Sequence, residues 1–361
     1  MPIYSSVSGT YKGIVKRMHN SLRPQNHMVI ECDFKQTKVQ SFAPLDWQSA
    51  TREECVDFVK NAGIVGLGGA GFPTYVKYMK PDGVDYVLIN AVECEPYITA
   101  DYRSVMDDAQ DLVTGAKIMK KMAEAKTVYI CIKESHPDLI EKVKSALTDA
   151  AGVEVYPVPD VYPMGWERVL VREVLHKEYG GLPAEAGAII GNASSAIAIA
   201  KAFEKGEAIT QKNLTVSGEC VKDPHNVCVP VGMPVSEIIQ ACGGYTQDTV
   251  RLISGGPMMG KTIVNDMFVV DRAMNALTVL PAANDDAIAC LRCGKCSDHC
   301  PSGLQPVRIT AALKANDVDE MSKRGVMSCI ECGMCTYICP SHIDVTENVR
   351  KAKRIVMLKK K

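Results

Sequence analysis

Cys290-Leu-Arg-Cys293-Gly-Lys-Cys296-Ser-Asp-His-Cys300-Pro301-Ser302 recurs as Cys329-Ile-Glu-Cys332-Gly-Met-Cys335-Thr-Tyr-Ile-Cys339-Pro340-Ser341, every position displaced by 39 residues. Three thiolates at such short intervals wrap one face of a cuboidal iron-sulfur cluster, and a fourth cysteine before proline reaches across to ligate the other cluster. The spacing therefore predicts two [4Fe-4S] clusters with crossed ligation. Cys290, Cys293, Cys296 and Cys339 hold the first, and Cys329, Cys332, Cys335 and Cys300 hold the second. Gly294 and Gly333 allow the tight turn around a cluster, and the proline after each fourth cysteine ends the loop and starts a helix. A zinc site closes on four ligands in tetrahedral geometry and needs neither the third closely spaced cysteine nor the Cys-Pro ending. Residues 276–361 are accordingly expected to form a helical two-cluster ferredoxin domain that relays single electrons.

Outside this pattern seven cysteines are scattered singly: Cys32, Cys55, Cys94, Cys131, Cys220, Cys228 and Cys242. A chain of 361 residues has room for several domains. With 41 basic and 42 acidic residues, its formal charge of -1 gives no reason to expect nucleic acid as a partner. The longest apolar stretch, Ala186 to Ala200, is broken by Asn192, Ser194 and Ser195, so no transmembrane helix is expected. Met1 to Thr10 lacks the basic and apolar regions of a signal peptide, which makes the cytoplasm the expected compartment. Any membrane contact would come through a partner.

Upstream, Ser6 to Tyr11 and His27 to Cys32 alternate like strands, and residues 1–40 read as a partial β segment. Thr51 to Ala62 has helical spacing and ends at Gly63, with a second helix expected beyond the glycine-rich turn that follows. Tyr86 to Asn90 and Thr127 to Ile132 read as buried strands, with helices at Ala109 to Ala123 and Pro137 to Ala150. This alternation predicts a mostly parallel α/β domain over 41–205. Ser194 to Phe203 reads as a helix. Short strands and one helix at Pro234 to Ala241 then predict a compact α+β module over 206–275.

Gly66-Leu-Gly68-Gly69-Ala-Gly71 matches G-x-G-x-x-G, in which glycines let backbone amides approach a phosphate at a helix N-terminus. The dinucleotide fingerprint needs a strand before the loop, whereas Thr51 to Ala62 reads as a helix, so the loop suggests a phosphate cradle outside the ordinary Rossmann plan. A tight structural turn is the alternative. Lys77, two turns along the expected helix, is placed to reach a phosphate or ring carbonyl; otherwise it is a solvated lysine. After Asn90 comes Ala91-Val92-Glu93-Cys94-Glu95-Pro96-Tyr97, a polar cluster at a strand's carboxyl end, where open α/β sheets bind ligands. Cys94 has no histidine near it in sequence and reads as a buried small residue.

Taken together, Ala62 to Thr74, Ile89 to Asp101, Gly180-Gly-Leu-Pro-Ala184, Ile253-Ser-Gly-Gly-Pro-Met-Met-Gly260 and the twin cysteine motifs resemble the C subunit of the Rnf electron-transport complex. More distantly, the first two resemble the flavin subunit of respiratory complex I. The resemblance runs from Met1 to about His342. It implies a Rossmann-like FMN domain of the complex I type, a β-grasp (SLBB) module, the two-cluster ferredoxin domain and a partial N-terminal barrel-sandwich segment. It places FMN against Gly66, Gly68, Gly69, Lys77, Asn90, Glu93 and Asn192, and sets Phe72, Glu95 and Glu167 at the nicotinamide face. No residue is assigned acid-base catalysis.

The implied activity is an NADH:acceptor oxidoreductase passing electrons from NADH through FMN and the two clusters to a membrane-bound complex. Its partners would be the other subunits and ferredoxin or another redox protein, with the chain held peripherally at the inner face of the cell membrane. Two features depart from the family. The chain begins at what resembles the second half of the N-terminal domain, and Met164-Gly165-Trp166-Glu167 stands where a further glycine is usual. Trp166 would then either narrow the nicotinamide side or stack on the flavin; an ordinary partly buried aromatic is the alternative. Two other functions fit the same motifs: a soluble reductase feeding a corrinoid or amino-acid reductase system, and a non-catalytic ferredoxin-like adaptor.

Overall fold

The structure is a computed structural model that describes residues 1–37, 39–69, 71–282 and 286–359. The chain divides into two compact units, one of Met1–Gly256 with Lys261–Pro281, the other of Pro257–Gly260 with residues from 282 onward.

In the first unit, β1 (Gly9–Met18) and β2 (Pro24–Cys32) form an antiparallel hairpin; β2 contains the alternation read at His27 to Cys32, whereas β1 starts three residues after Ser6 and runs well past Tyr11. Helix α1 (Arg52–Asn61) starts where Thr51 and Glu54 form a reciprocal capping box, the Thr51 hydroxyl accepting from the Glu54 amide and the Glu54 carboxylate from the Thr51 amide. After the glycine-rich loop the chain makes only a 3-10 helix of five residues, Thr74–Tyr78. This corrects the expectation of a full helix that carries Lys77 two turns along it.

The parallel domain follows in chain order: β3 (Tyr86–Asn90), α2 (Ala100–Asp107), α3 (Ala109–Ala123), β4 (Thr127–Lys133), α4 (Pro137–Ala146), β5 (Val153–Val158), α5 (Glu167–Leu175), β6 (Ala188–Asn192) and α6 (Ala193–Lys205). The expected strands and the helix 109–123 lie where the sequence places them, while α4 stops four residues short of Ala150. The four strands run parallel in the order β5-β4-β3-β6. Val87, Leu88 and Ile89 of β3 are fully buried, the continuous apolar run of a strand covered on both faces. Because β6 lies on the far side of β3 from β4, the strand order reverses between β3 and β6. That crossover is where open α/β sheets leave a crevice at their carboxyl ends. Helix α3 packs on α6 so closely that a Cβ on Gly115 would stand 2.0 Å from the Ala196 carbonyl oxygen.

The second sheet contains β7 (Gln211–Ser217), β8 (His225–Pro230), β9 (Val250–Ser254), β10 (Lys261–Ile263) and β11 (Ala276–Pro281), with α7 (Val235–Ala241) between β8 and β9. Its order is β10-β9-β11-β7-β8, and the first and last strands, β7 and β11, run parallel side by side at its centre. The sheet therefore includes a central strand just beyond the module end read at residue 275, because β11 pairs with both β7 and β9. In the other unit α8 (Lys295–Asp298), α9 (Pro306–Lys314), α10 (Val318–Lys323), α11 (Met334–Tyr337) and α12 (Val345–Lys359) enclose a core of Ile309, Met321, Val326, Val349, Ala352 and Val356. Among the described residues no helix is long and apolar enough to cross a membrane.

Candidate cofactor sites

The crossover brings Asn90 and Asn192 into register at the carboxyl ends of β3 and β6. Asn192 occupies the N-cap of α6, yet its side chain does not cap the helix. Its Nδ2 donates instead to Asp101 at 2.7 Å, and Ser194 Oγ donates to the same carboxylate at 2.6 Å. The Asn192 Oδ1 is buried without a hydrogen-bond partner, an acceptor that costs stability unless a ligand satisfies it.

The glycine-rich loop lies over this helix start. Its buried residue Leu67 donates its amide to Ser195 Oγ at 2.9 Å, while Gly68 and Gly69 are exposed. A Cβ on Gly68 would stand 2.9 to 3.1 Å from the Asn192 side chain, so the loop can take only hydrogen there. Helix α1, not a strand, leads into the loop; Val65 and Pro73 form one isolated bridge, and the Gly66 amide donates to the Phe72 carbonyl at 2.8 Å. An α6 N-terminus without a side-chain cap, an orphaned acceptor and exposed glycine amides fit a phosphate-bearing flavin. Lys77 reaches the same place despite its short helix, donating to the Ile190 carbonyl of β6 at 2.7 Å, with Glu167 Oε1 at 3.5 Å.

Other expected ligand contacts are engaged by the protein itself. Asn90 Nδ2 donates to the Gly165 carbonyl at 2.7 Å, and its Oδ1 accepts the Val92 amide at 3.1 Å. Glu93 accepts the Asp101 and Tyr102 amides at 2.8 and 3.0 Å, so it anchors the start of α2. Burial, aided by the nearby Asp101 carboxylate, raises the Glu93 carboxyl to about 7. Glu95 lies against Gly256, whose Cβ would come within 2.4 Å of its carboxylate. Phe72 is exposed, Glu167 opens α5, and Trp166 is the partly buried residue before it. Cys94, read as a buried residue, is half-buried, and burial of its thiol pushes it up to about 11. Asp101, Ser194, Ser195 and Lys212 join the site without having been singled out in the sequence. The fold recruits them from three segments: α2, the first turn of α6 and β7.

The two cysteine segments share one backbone. Arg292 and Glu331, 39 residues apart, both adopt left-handed conformations and donate their amides to Cys290 Sγ and Cys329 Sγ, each at 3.4 Å. Gly294 and Gly333 then turn at φ 81° and start α8 and α11. The same displacement separates the first residues of α9 and α12, so the repeat extends past the prolines. Gly333 is doubly required, since a Cβ there would also meet the Met258 carbonyl at 2.4 Å.

A small cavity is lined by Cys300, Cys329, Cys332 and Cys335 among Leu304, Ile330, Thr346 and Val349. These four cysteines are the set that crossed ligation assigns to the second cluster. For the first, Ser341 binds the chain just before Cys290, accepting the Ile288 amide at 3.1 Å and donating from its hydroxyl to the Ala289 carbonyl at 3.2 Å. This draws the segment beside Cys339 toward Cys290. Burial raises the Cys329 and Cys296 thiols and takes Cys335 to about 11. Sulfur donors around an apolar cavity fit an iron-sulfur cluster. The halves differ in exposure: Cys290 and Cys293 are exposed, whereas Cys332 is buried.

Comparison with known proteins assigns these parts to families. Residues 59–201 match the family described as the Nuo51 FMN-binding domain, 213–262 the SLBB domain, and 282–340 the 4Fe-4S dicluster domain. The chain is 35% identical over 312 residues to the C subunit of the proton-translocating ferredoxin:NAD(+) oxidoreductase complex of Clostridium ljungdahlii, covering 84% of this chain and 68% of that one. It is 35% identical over 369 residues to the C subunit of the Na(+)-translocating ferredoxin:NAD(+) oxidoreductase complex of Acetobacterium woodii, covering 100% and 83%. The C subunit of the ion-translocating oxidoreductase complex of Rhodobacter capsulatus is 37% identical over 289 residues, 78% of this chain and 56% of its own. Among solved structures, an NAD+-reducing [NiFe]-hydrogenase in the H2-reduced state shares the fold at a TM-score of 0.57 and 15% identity, over 90% of this chain and 66% of that one.

Proposed function

We propose that this chain, which belongs to the family of C subunits of ion-translocating ferredoxin:NAD(+) oxidoreductase complexes, oxidises NADH at the β3/β6 crossover and sends electrons through two [4Fe-4S] clusters to partner subunits. The observation that carries the reading is the uncapped start of α6 beneath a glycine-rich loop, with Asn192 Oδ1 left open. FMN would supply the exchange between a two-electron donor and one-electron carriers. The chain's own contribution is placement. The α6 N-terminus and the amides of Gly68 and Gly69 hold the phosphate end, Asn192 Oδ1 accepts from the ligand, and Lys77 sets a positive charge beside β6. Phe72, Glu95 and Glu167 border the nucleotide side. Each cluster is held by three cysteines of one repeat and the Cys-Pro cysteine of the other, and the apolar lining of the Cys332 cavity excludes water from the second.

Membrane association would arise through partner subunits, with ferredoxin as the other redox partner. Anaerobic reconstitution with iron, sulfide and FMN tests the reading. The expected product holds eight irons and one FMN, and NADH bleaches its flavin absorbance. Stoichiometric zinc in place of iron, or no FMN uptake, would contradict it.

A further inference from the structure

We infer that Lys212, a residue of the second sheet, is the positioning residue that sets the glycine-rich loop for its ligand; this rests on the flavin reading above. Lys212 lies in β7 and is only 4% exposed. Its Nζ donates to the Leu67 carbonyl at 2.9 Å. Ser195 Oγ accepts the Leu67 amide, so both polar groups of this one loop residue are fixed from segments 128 and 145 residues away. Fixing them orients the peptide that leads into Gly68 and Gly69.

The second sheet's connecting segment touches the loop elsewhere as well. Arg272 Nη1 donates to the Gly63 carbonyl at 2.9 Å, and Ala273 stands 3.5 Å from the place of a Gly71 Cβ. The module thus bonds the loop at its start and middle and stands close to Gly71 near its end.

A purely structural role does not explain the choice of lysine. An ammonium carries three donors, and its removal from water is costly without a close counter-charge. Among the described residues no carboxylate lies within ion-pair distance of Lys212; Asp101, Asp271 and Glu93 face it from farther away. An apolar residue would pack this strand at lower cost, whereas a charged donor grips a carbonyl about twice as strongly as a neutral one. The cost of burying Lys212 is therefore offset in the geometry of the loop.

The test uses the full chain with its clusters reconstituted, comparing wild type with Lys212→Met, which preserves length and removes the donor. FMN and riboflavin affinities are read from flavin fluorescence, and stability from melting of the flavin-free protein. The expected result is about a tenfold or greater loss of FMN affinity, a smaller loss for riboflavin, and no fall in melting temperature. Unchanged FMN affinity overturns the inference, as does equal weakening of both flavins together with a lower melting temperature. Should Lys212→Met not fold, Ser195→Ala releases Leu67 from the other side: weakened FMN binding supports the inference and unchanged binding overturns it. Wild-type protein that takes up no FMN would remove the functional reading itself, which distinguishes that failure from this one.

Discussion

Within the cluster unit, residues 290–300 and 329–339 each present four cysteines from one continuous stretch, and their turns close through bonds between neighbours. At the sheet crossover, Leu67, Asp101, Asn192 with Ser195, and Lys212 arrive from four separate segments and meet because β6 pairs beside β3. The first site is local chemistry repeated; the second is a product of topology. The difference predicts which damage stays confined. Crossed ligation would make the two repeats depend on each other, while a defect in the loop should leave the clusters intact.

The largest expected effect comes from Cys339→Ala. It should abolish the cluster coded by Cys290, Cys293 and Cys296 and spare the one that lines the Cys332 cavity; Cys300→Ala should do the reverse. Iron content near four per chain, with one EPR signal lost, checks this. If Cys339→Ala spares the Cys290 cluster, ligation is not crossed.

Gly68→Ala comes next, because its Cβ would press on an Asn192 side chain already tied to Asp101. FMN affinity is expected to fall about tenfold or more, with both clusters unchanged, as read by fluorescence titration and EPR. A loss of iron in this variant would break the separation between the two regions.

A subtler difference divides the repeats. Lys353 Nζ donates to the Cys329 carbonyl at 2.7 Å and to Glu331 at 3.0 Å, and Arg350 also pairs with Glu331. The residue equivalent to Glu331 in the first repeat is Arg292. Lys353→Met removes one positive charge near the second cluster, so that cluster's potential should move negative by roughly 50 mV, from about one unit charge acting through an effective dielectric near 20. Redox-poised EPR should show the other cluster unmoved.

The last expected effect is a pH dependence of the flavin-free chain. Glu93 titrates at about 7 in the fold, against an ordinary carboxyl value of 4.5, so the folded chain binds more protons between those values. Its contribution to stability is full below about 4.5 and is lost as pH rises through 7. Glu93→Gln should flatten that part of the melting-temperature profile.

The cysteine repeat is legible from spacing because its ligand geometry is local, and β3, β4 and α3 are legible from their apolar runs. Sequence reasoning puts Lys77 two turns along a full helix, whereas it sits in a short 3-10 turn that leaves no periodicity to read and donates to the Ile190 carbonyl of β6. Glu93 reads as a ligand carboxylate because nothing in the sequence shows that the amides of α2 will face it. Ser195 and Lys212 give no signal at all: a buried lysine in a strand looks like a surface lysine until the sheet containing it is seen to meet the loop. β11 falls outside its module in the sequence because its partners, β7 and β9, precede it by tens of residues.

Whether electrons enter at the crossover and leave through the cysteine repeats is tested most directly by anaerobic EPR of reconstituted wild type and Gly68→Ala, first with NADH and then with dithionite. With FMN held near the wild-type Kd, NADH should produce reduced-cluster signals in wild type and much weaker ones in Gly68→Ala, while dithionite reduces both clusters in each. NADH signals of equal size in the two proteins, or none in flavin-loaded wild type, would contradict this route.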